Sequence, residues 1–290
     1  MTLAPQTREF YTLTARMTDP GPHRAAFKNL PDSLESLCAT VQGLIIHRDW
    51  APQYGVTFSP ERVDEQHIRP VAKRLERIFE LERAPLTQAR APERRSVGCC
   101  RDFTVMTVAM LREQGVPARA RCGFGAYFTS RFEDHWVVEY WKDGRWRLAD
   151  AQIDELQRGV LKPKFDLLDI PRDKFVVAGD AWQLWRTGRN KGDDFGIGTI
   201  RSASFIAGNL VHDFAALNNM ESLPWDVWGP MTLGDDEKLT PNLALFDYLA
   251  ELGREAAHRF ADIRSLYEAD AQLAPPATVF NAIRQQPEAF

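Results

Sequence analysis

The stretch that decides the fold runs from Ser96 to Asp150 and reads SVGCCRDFTVMTVAMLREQGVPARARCGFGAYFTSRFEDHWVVEYWKDGRWRLAD. In order it offers a thiol at a helix start, a histidine opening a strand and an aspartate closing the next strand. From Cys100 onward the apolar residues Phe103, Met106, Met110 and Leu111 recur at helical spacing, and Gly115-Val116-Pro117 stops the helix. A cysteine in the first turn feels the positive end of the helix dipole and the unpaired N–H groups there. Both favour the thiolate and an oxyanion beside it. Asp143-Gly144 is a two-residue hairpin signal between the aromatic and β-branched run His135–Trp141 and the run Trp146–Asp150. That turn pairs Lys142 with Arg145, Trp141 with Trp146, Glu139 with Leu148 and Val137 with Asp150. His135 shares a face with Val137, so it falls diagonal to Asp150, and Gln152 falls opposite His135. Thiol, base and orienting acid are what acyl transfer through a cysteine requires.

The segment resembles the catalytic core of the transglutaminase-like superfamily of papain-type cysteine enzymes. The resemblance rests on G-x-C-R-D-F at Gly98–Phe103, L-R-x-x-G-V-P-A-R at Leu111–Arg119, His135 with Glu139 four residues on, and W-x-L-x-D at Trp146–Asp150. It implies a triad of Cys100, His135 and Asp150. It also implies an α+β fold, with the catalytic helix packed on an antiparallel sheet. Two departures stand out. Trp136 follows the histidine directly, where the family places a tryptophan two residues on. After the acid the chain reads Asp150-Ala151-Gln152 instead of D-P.

The 290-residue chain as a whole suits an ordinary globular protein, with 44% hydrophobic residues and a net charge of −4. That charge supplies no basic excess for a phosphate backbone, so nucleic acid is not an expected partner. No run reaches the roughly 18 apolar residues of a membrane span, and the first eleven residues lack a signal-peptide core. A membrane partner is therefore not expected, and the default location is the cytoplasm. The sequence is silent on oligomeric state. Cysteines 38, 99, 100 and 122 show no CxxC spacing and read as reduced; Cys38 and Cys122 read as packed side chains. A zinc site from Cys99, Cys100, Cys122 and His135 is the weaker alternative, since adjacent cysteines are poor joint ligands in a tetrahedron. No metal or organic cofactor is implied.

Working outward, residues 1–30 read as an N-terminal arm with a short strand over Glu9–Met17. Residues 31–156 read as the catalytic core. Asp32-Ser33 caps a helix whose apolar stripe runs from Leu34 to Ile45. Ser59-Pro60 starts another, and Pro70 kinks it or begins a second, Val71–Leu81. Residues 84–95 read as a surface loop, with Arg94 and Arg95 as solvated charges. Residues 157–290 read as a mainly helical C-terminal region covering the site. Within it the glycine-rich Thr187–Thr199 reads as a mobile loop, Ser202–Asn218 as a helix, Thr240-Pro241 as the cap of another that ends at Gly253, and Glu255–Tyr267 as a last one. Trp182, Trp185, Trp225 and Trp228 read most simply as packing. With Gln152 they are also the candidates to line a substrate pocket.

The function expected is a cysteine-dependent enzyme that acts on an amide or thioester carbonyl through an acyl-enzyme and releases to water or to an amine. A small or enclosed substrate is favoured, because the tryptophan-rich C-terminal region exceeds what a triad needs. A transglutaminase-fold binding protein without turnover and a thiol redox sensor using Cys99 and Cys100 are the alternatives.

Overall fold

The computed structural model describes residues 2–232 and 234–290. The fold is mixed α+β, and the chain divides into two compact units, one of residues 1–119 and 137–169, the other of residues 120–136 and 170–290.

In the first unit the helix Cys100–Glu113 is the centre. Every residue from Cys100 to Arg112 is buried. An amphipathic surface helix would hide one stripe, so burial all round means that neighbours pack on every side. Those neighbours are the helices Pro5–Thr12, Leu34–Gln42 and Val71–Leu81 and a two-stranded parallel ladder, Ile45–His47 against Ser96–Gly98. The helix Leu34–Gln42 starts where its cap predicts, with the Ser33 side chain accepting from the Ser36 N–H. It stops at Gly43, earlier than the apolar stripe suggests, because Ile45 enters the parallel ladder and is buried there instead. Pro70 is the N-cap of a separate helix, Val71–Leu81, that buries Val71, Leu75 and Ile78.

The hairpin register agrees with the sequence from Val138–Ala149 to Lys142–Arg145, and the expected Val137–Asp150 pair lies beyond the end of the ladder. Val138 faces Ala149, Glu139 faces Leu148, Trp141 faces Trp146 and Lys142 faces Arg145. Asp143 and Gly144 both adopt positive φ, 51° and 77°, as the tight turn between right-twisted strands demands. The strand begins at Phe132, so His135 lies inside it instead of opening it.

One buried ion pair explains two of the sequence motifs. Arg119, the last residue of the G-V-P-A-R run, donates from Nε to Glu139 Oε2 at 2.7 Å, and both side chains are about 1% exposed. The guanidinium also stacks over Trp146, 4.2 Å from the ring centroid, and Tyr11, at 4.9 Å. Tyr11 belongs to the helix Pro5–Thr12, and a 3-10 helix follows over Gly21–Asn29. The expected extended arm and the Glu9–Met17 strand are therefore corrected: Pro5 opens a helix at its first turn, and Tyr11, Met17 and Phe27 are buried.

In the second unit Gly123–Gly125 pairs antiparallel with Phe175–Val177, and Phe132–Glu133 pairs parallel with Phe195–Gly196. The expected mobile loop 187–199 is thus corrected. It holds a 3-10 turn, Gly192–Asp194, and a strand, Phe195–Ile197, whose buried Phe195 stacks on Phe132 at 4.7 Å. The helix read as Ser202–Asn218 runs from Ala203 to Leu217 and is capped by Ser202. Asp213 on that helix takes a bidentate pair from Arg121, at 2.9 and 2.8 Å, and the Cys122 N–H. The next helix, Leu243–Arg254, runs through Gly253 instead of ending there, and Thr240-Pro241 lies in a 3-10 helix that precedes it. The last helix is Phe260–Ala269, and a hairpin that the sequence did not announce, Thr278–Asn281 with Gln286–Ala289, closes the chain.

The Arg119–Glu139 pair yields a test. Arg119→Met leaves a buried carboxylate uncompensated and should lower the unfolding free energy by about 3–5 kcal/mol in urea denaturation. Adding Glu139→Leu should restore a substantial part of it.

Candidate functional site

The first turn of the cysteine helix is held by carboxylates and guanidiniums with almost no solvent contact. The Asp102 side chain folds back on the helix start and accepts the Cys99 backbone N–H through Oδ2 at 2.9 Å. Arg74 and Arg101 bind the same carboxylate at 3.0 and 3.1 Å, and all three side chains are at most 3% exposed. Arg74 also donates to Ser96 Oγ and to the Val97 carbonyl, at 3.0 and 2.7 Å. Glu65 accepts from Ser96 Oγ and the Val97 N–H, while Arg62 and Arg77 neutralise its other oxygen. Gly98 completes the arrangement: a Cβ there would stand 2.6 Å from Asp102 Oδ2. The G-x-C-R-D spacing therefore has a physical cause. Glycine makes room for the aspartate that pins the turn preceding the cysteine. Sequence reasoning missed Glu65 and Arg74, which look like ordinary helix-surface charges.

The structure places the candidate triad residues as follows. Cys100 is the first residue of the helix, 7% exposed, and Cys99 is its N-cap. Asp150 directly follows the Arg145–Ala149 strand, is buried, donates its N–H to the Leu167 carbonyl and accepts the Gln152 N–H through Oδ1 at 2.9 Å. Gln152 is buried as well, and its Nε2 donates to Gln157 Oε1. His135 is buried in the Phe132–Lys142 strand, 4.7 Å from the ring of Phe128 and 6.1 Å from that of Tyr127. Burial pushes the Cys38 thiol up to about 12, with Asp150 adding to the effect. Burial likewise pushes Cys122 well up, helped by Asp134 and Asp213. These two cysteines are held as protonated thiols.

The four tryptophans divide into separate settings. Trp182 is buried, donates from Nε1 to Asp247 at 2.7 Å and leans on Trp185, 4.7 Å away. Trp185 is half-buried beside Arg186. Trp228 is buried against His212 and Phe290, and Trp225 is half-buried with its carbonyl accepting the Ala282 N–H. Among the described residues no three His, Cys, Asp or Glu side chains gather as a metal site would require. None of the helices they form is long and apolar enough to cross a membrane.

Residues 81–151 match the family model described as the transglutaminase-like superfamily. Cys100, His135 and Asp150 all lie within the matched residues. A solved structure of a candidate cysteine protease from Cytophaga hutchinsonii is similar at 17% identity and a TM-score of 0.36, covering 60% of this chain. The chain spans 46% of that protein's length. No curated protein matches the chain.

Asp134, the neighbour of His135, has a measurable consequence. Burial pushes its carboxyl from 3.8 up to about 6, against the opposing pull of Asn209, which donates to it at 2.7 Å, and of His135. The folded state therefore holds this proton more tightly than the unfolded state. The cost of ionising Asp134 appears as pH rises from about 4 to 6 and is fully present above that window. Asp134→Asn, which keeps an acceptor for Asn209, should stabilise the protein by about 1–3 kcal/mol at pH 7.5. The gain should vanish as thermal melts are taken down to pH 4.

Proposed function

We propose that the chain is a cysteine-dependent acyl-transfer enzyme in which Cys100 is the nucleophile, His135 the base and Asp150 the group that orients the histidine. One observation carries the reading: the superfamily match encloses all three residues, and Cys100 is the first residue of a helix whose start is fixed by a buried carboxylate. Continuing the Val138–Ala149 pairing by one step sets Asp150 opposite Val137, which has the same strand parity as His135.

In the first half-reaction the Cys100 proton passes to the imidazole and Sγ forms a bond to the carbonyl carbon of an amide or thioester. The carbonyl π pair moves onto oxygen, where N–H groups at a helix start favour it. Collapse of this tetrahedral species breaks the bond to the leaving amine or thiol, which takes the proton from His135. In the second half-reaction water or an amine, deprotonated by His135, attacks the thioester carbonyl and releases Cys100. The pinned carboxylate of Asp150, with Gln152 bound to one oxygen, suits it to holding one histidine tautomer and not to proton transfer.

The experiment is intact mass spectrometry after mixing with activated thioesters and small amides. A single acyl adduct should form, map to Cys100 and be absent in Cys100→Ala. His135→Ala should slow acylation by on the order of 10²–10⁴-fold. An adduct of equal yield in Cys100→Ala ends the reading.

A further inference from the structure

Two residues past the proposed acid, a glutamine begins a hydrogen-bond chain with a fixed direction. The Asp154 carboxylate can only accept. It takes the Tyr54 hydroxyl proton at 2.6 Å through one oxygen and the Gln157 N–H at 3.0 Å through the other. With its single proton committed, the Tyr54 oxygen must accept, and Gln157 Nε2 donates to it at 3.1 Å. The Gln157 carbonyl oxygen is then the end that faces Gln152, whose Nε2 donates to it at 2.9 Å. The Gln152 side-chain oxygen is what remains. Gln152 is 2% exposed, and its Oε1 has no hydrogen-bond partner. Neither amide can be turned over without setting two donors or two acceptors face to face. The polarity of Gln152 is thus dictated by the charge on Asp154, three side chains away.

The other end of Gln152 is equally fixed. Its backbone N–H binds Asp150 Oδ1, and the carbonyl of Ala151 accepts from Gln42 Nε2 at 3.1 Å. A buried acceptor held this firmly and left unmatched favours anything that brings it a donor and penalises anything that does not.

We infer that Gln152 selects acyl donors that present an N–H beside the reacting carbonyl, that is, amide-bearing, peptide-like acyl groups, and rejects their ester counterparts. The inference rests on the proposed role of Asp150 and Cys100. Gln152 is a specificity residue, and Asp154, Tyr54 and Gln157 are positioning residues that set its direction.

The test uses two thioesters with the same leaving thiol, benzoylglycyl and benzoyloxyacetyl, which differ by one N–H replaced with oxygen. Acylation rates by intact mass are divided by those with free N-acetylcysteine, to remove intrinsic reactivity. The full-length protein should prefer the N–H probe by about tenfold or more. Gln152→Leu should lose the preference. Asp154→Asn retains the oxygen that caps the following helix but offers Tyr54 an N–H, so every bond in the chain reverses and Gln152 presents its amide nitrogen. That variant should favour the ester probe or show no preference, with a melting temperature near the parent's. Equal corrected rates in the parent protein, or full preference retained in Gln152→Leu, overturn the inference while Cys100 is still acylated. Acylation that survives Cys100→Ala overturns the proposed function instead.

Discussion

The buried interaction of Arg74 with Asp102 is the constraint on which the first unit depends. Asp102 holds the Cys99 N–H away from water, and isolated burial of a carboxylate is prohibitively costly. Two guanidiniums, from Arg74 and Arg101, offset that cost, and Arg74 simultaneously ties the helix start to the Ser96–Gly98 strand. Glu65 repeats the pattern one layer out, accepting from that strand while Arg62 and Arg77 balance its charge. The cysteine is thus presented by a turn that cannot rotate without stranding charges. Rigid presentation is what nucleophilic catalysis asks of its scaffold, since a misplaced nucleophile forfeits much of the benefit of proximity.

The same device recurs along the Ala118–Gly125 strand. Arg119 with Glu139 ties the start of that strand to the middle of the hairpin, and Arg121 with Asp213 ties its next part to a helix nearly a hundred residues on. Two alternate residues of one strand, Arg119 and Arg121, therefore each carry a buried cation with a long-range partner. Buried pairs of this kind add little net stability, but a register slip would unpair them, so they oppose mispairing more than they stabilise.

Local features of the site could be read from the chain. The Asp143-Gly144 turn fixed the hairpin register because two residues with positive φ permit one pairing. The Cys100 helix was visible from the helical spacing of Phe103, Met106, Met110 and Leu111 and from its stop at Gly115. What could not be read was non-local. Glu65 and Arg74 look like solvent-facing charges, and only the partner strand more than twenty residues away makes them buried anchors. Phe195–Ile197 has a glycine at its centre and another after it and is too short to show alternation, so its pairing with Phe132–Glu133 left no local trace. The direction of the Tyr54–Gln157–Gln152 chain was hidden for the same reason, since Tyr54 and Gln157 are 103 residues apart in sequence.

The central claim is that the helix start makes Cys100, and not its neighbour Cys99, the reactive thiol. The most direct measurement is the rate of iodoacetamide alkylation of each cysteine, resolved by peptide mapping from pH 5 to 9. The account predicts that Cys100 is modified first and already near neutral pH, while Cys38 and Cys122 stay silent until the protein unfolds. Modification of Cys99 ahead of Cys100, in a protein whose acyl transfer survives Cys100→Ala, would contradict it.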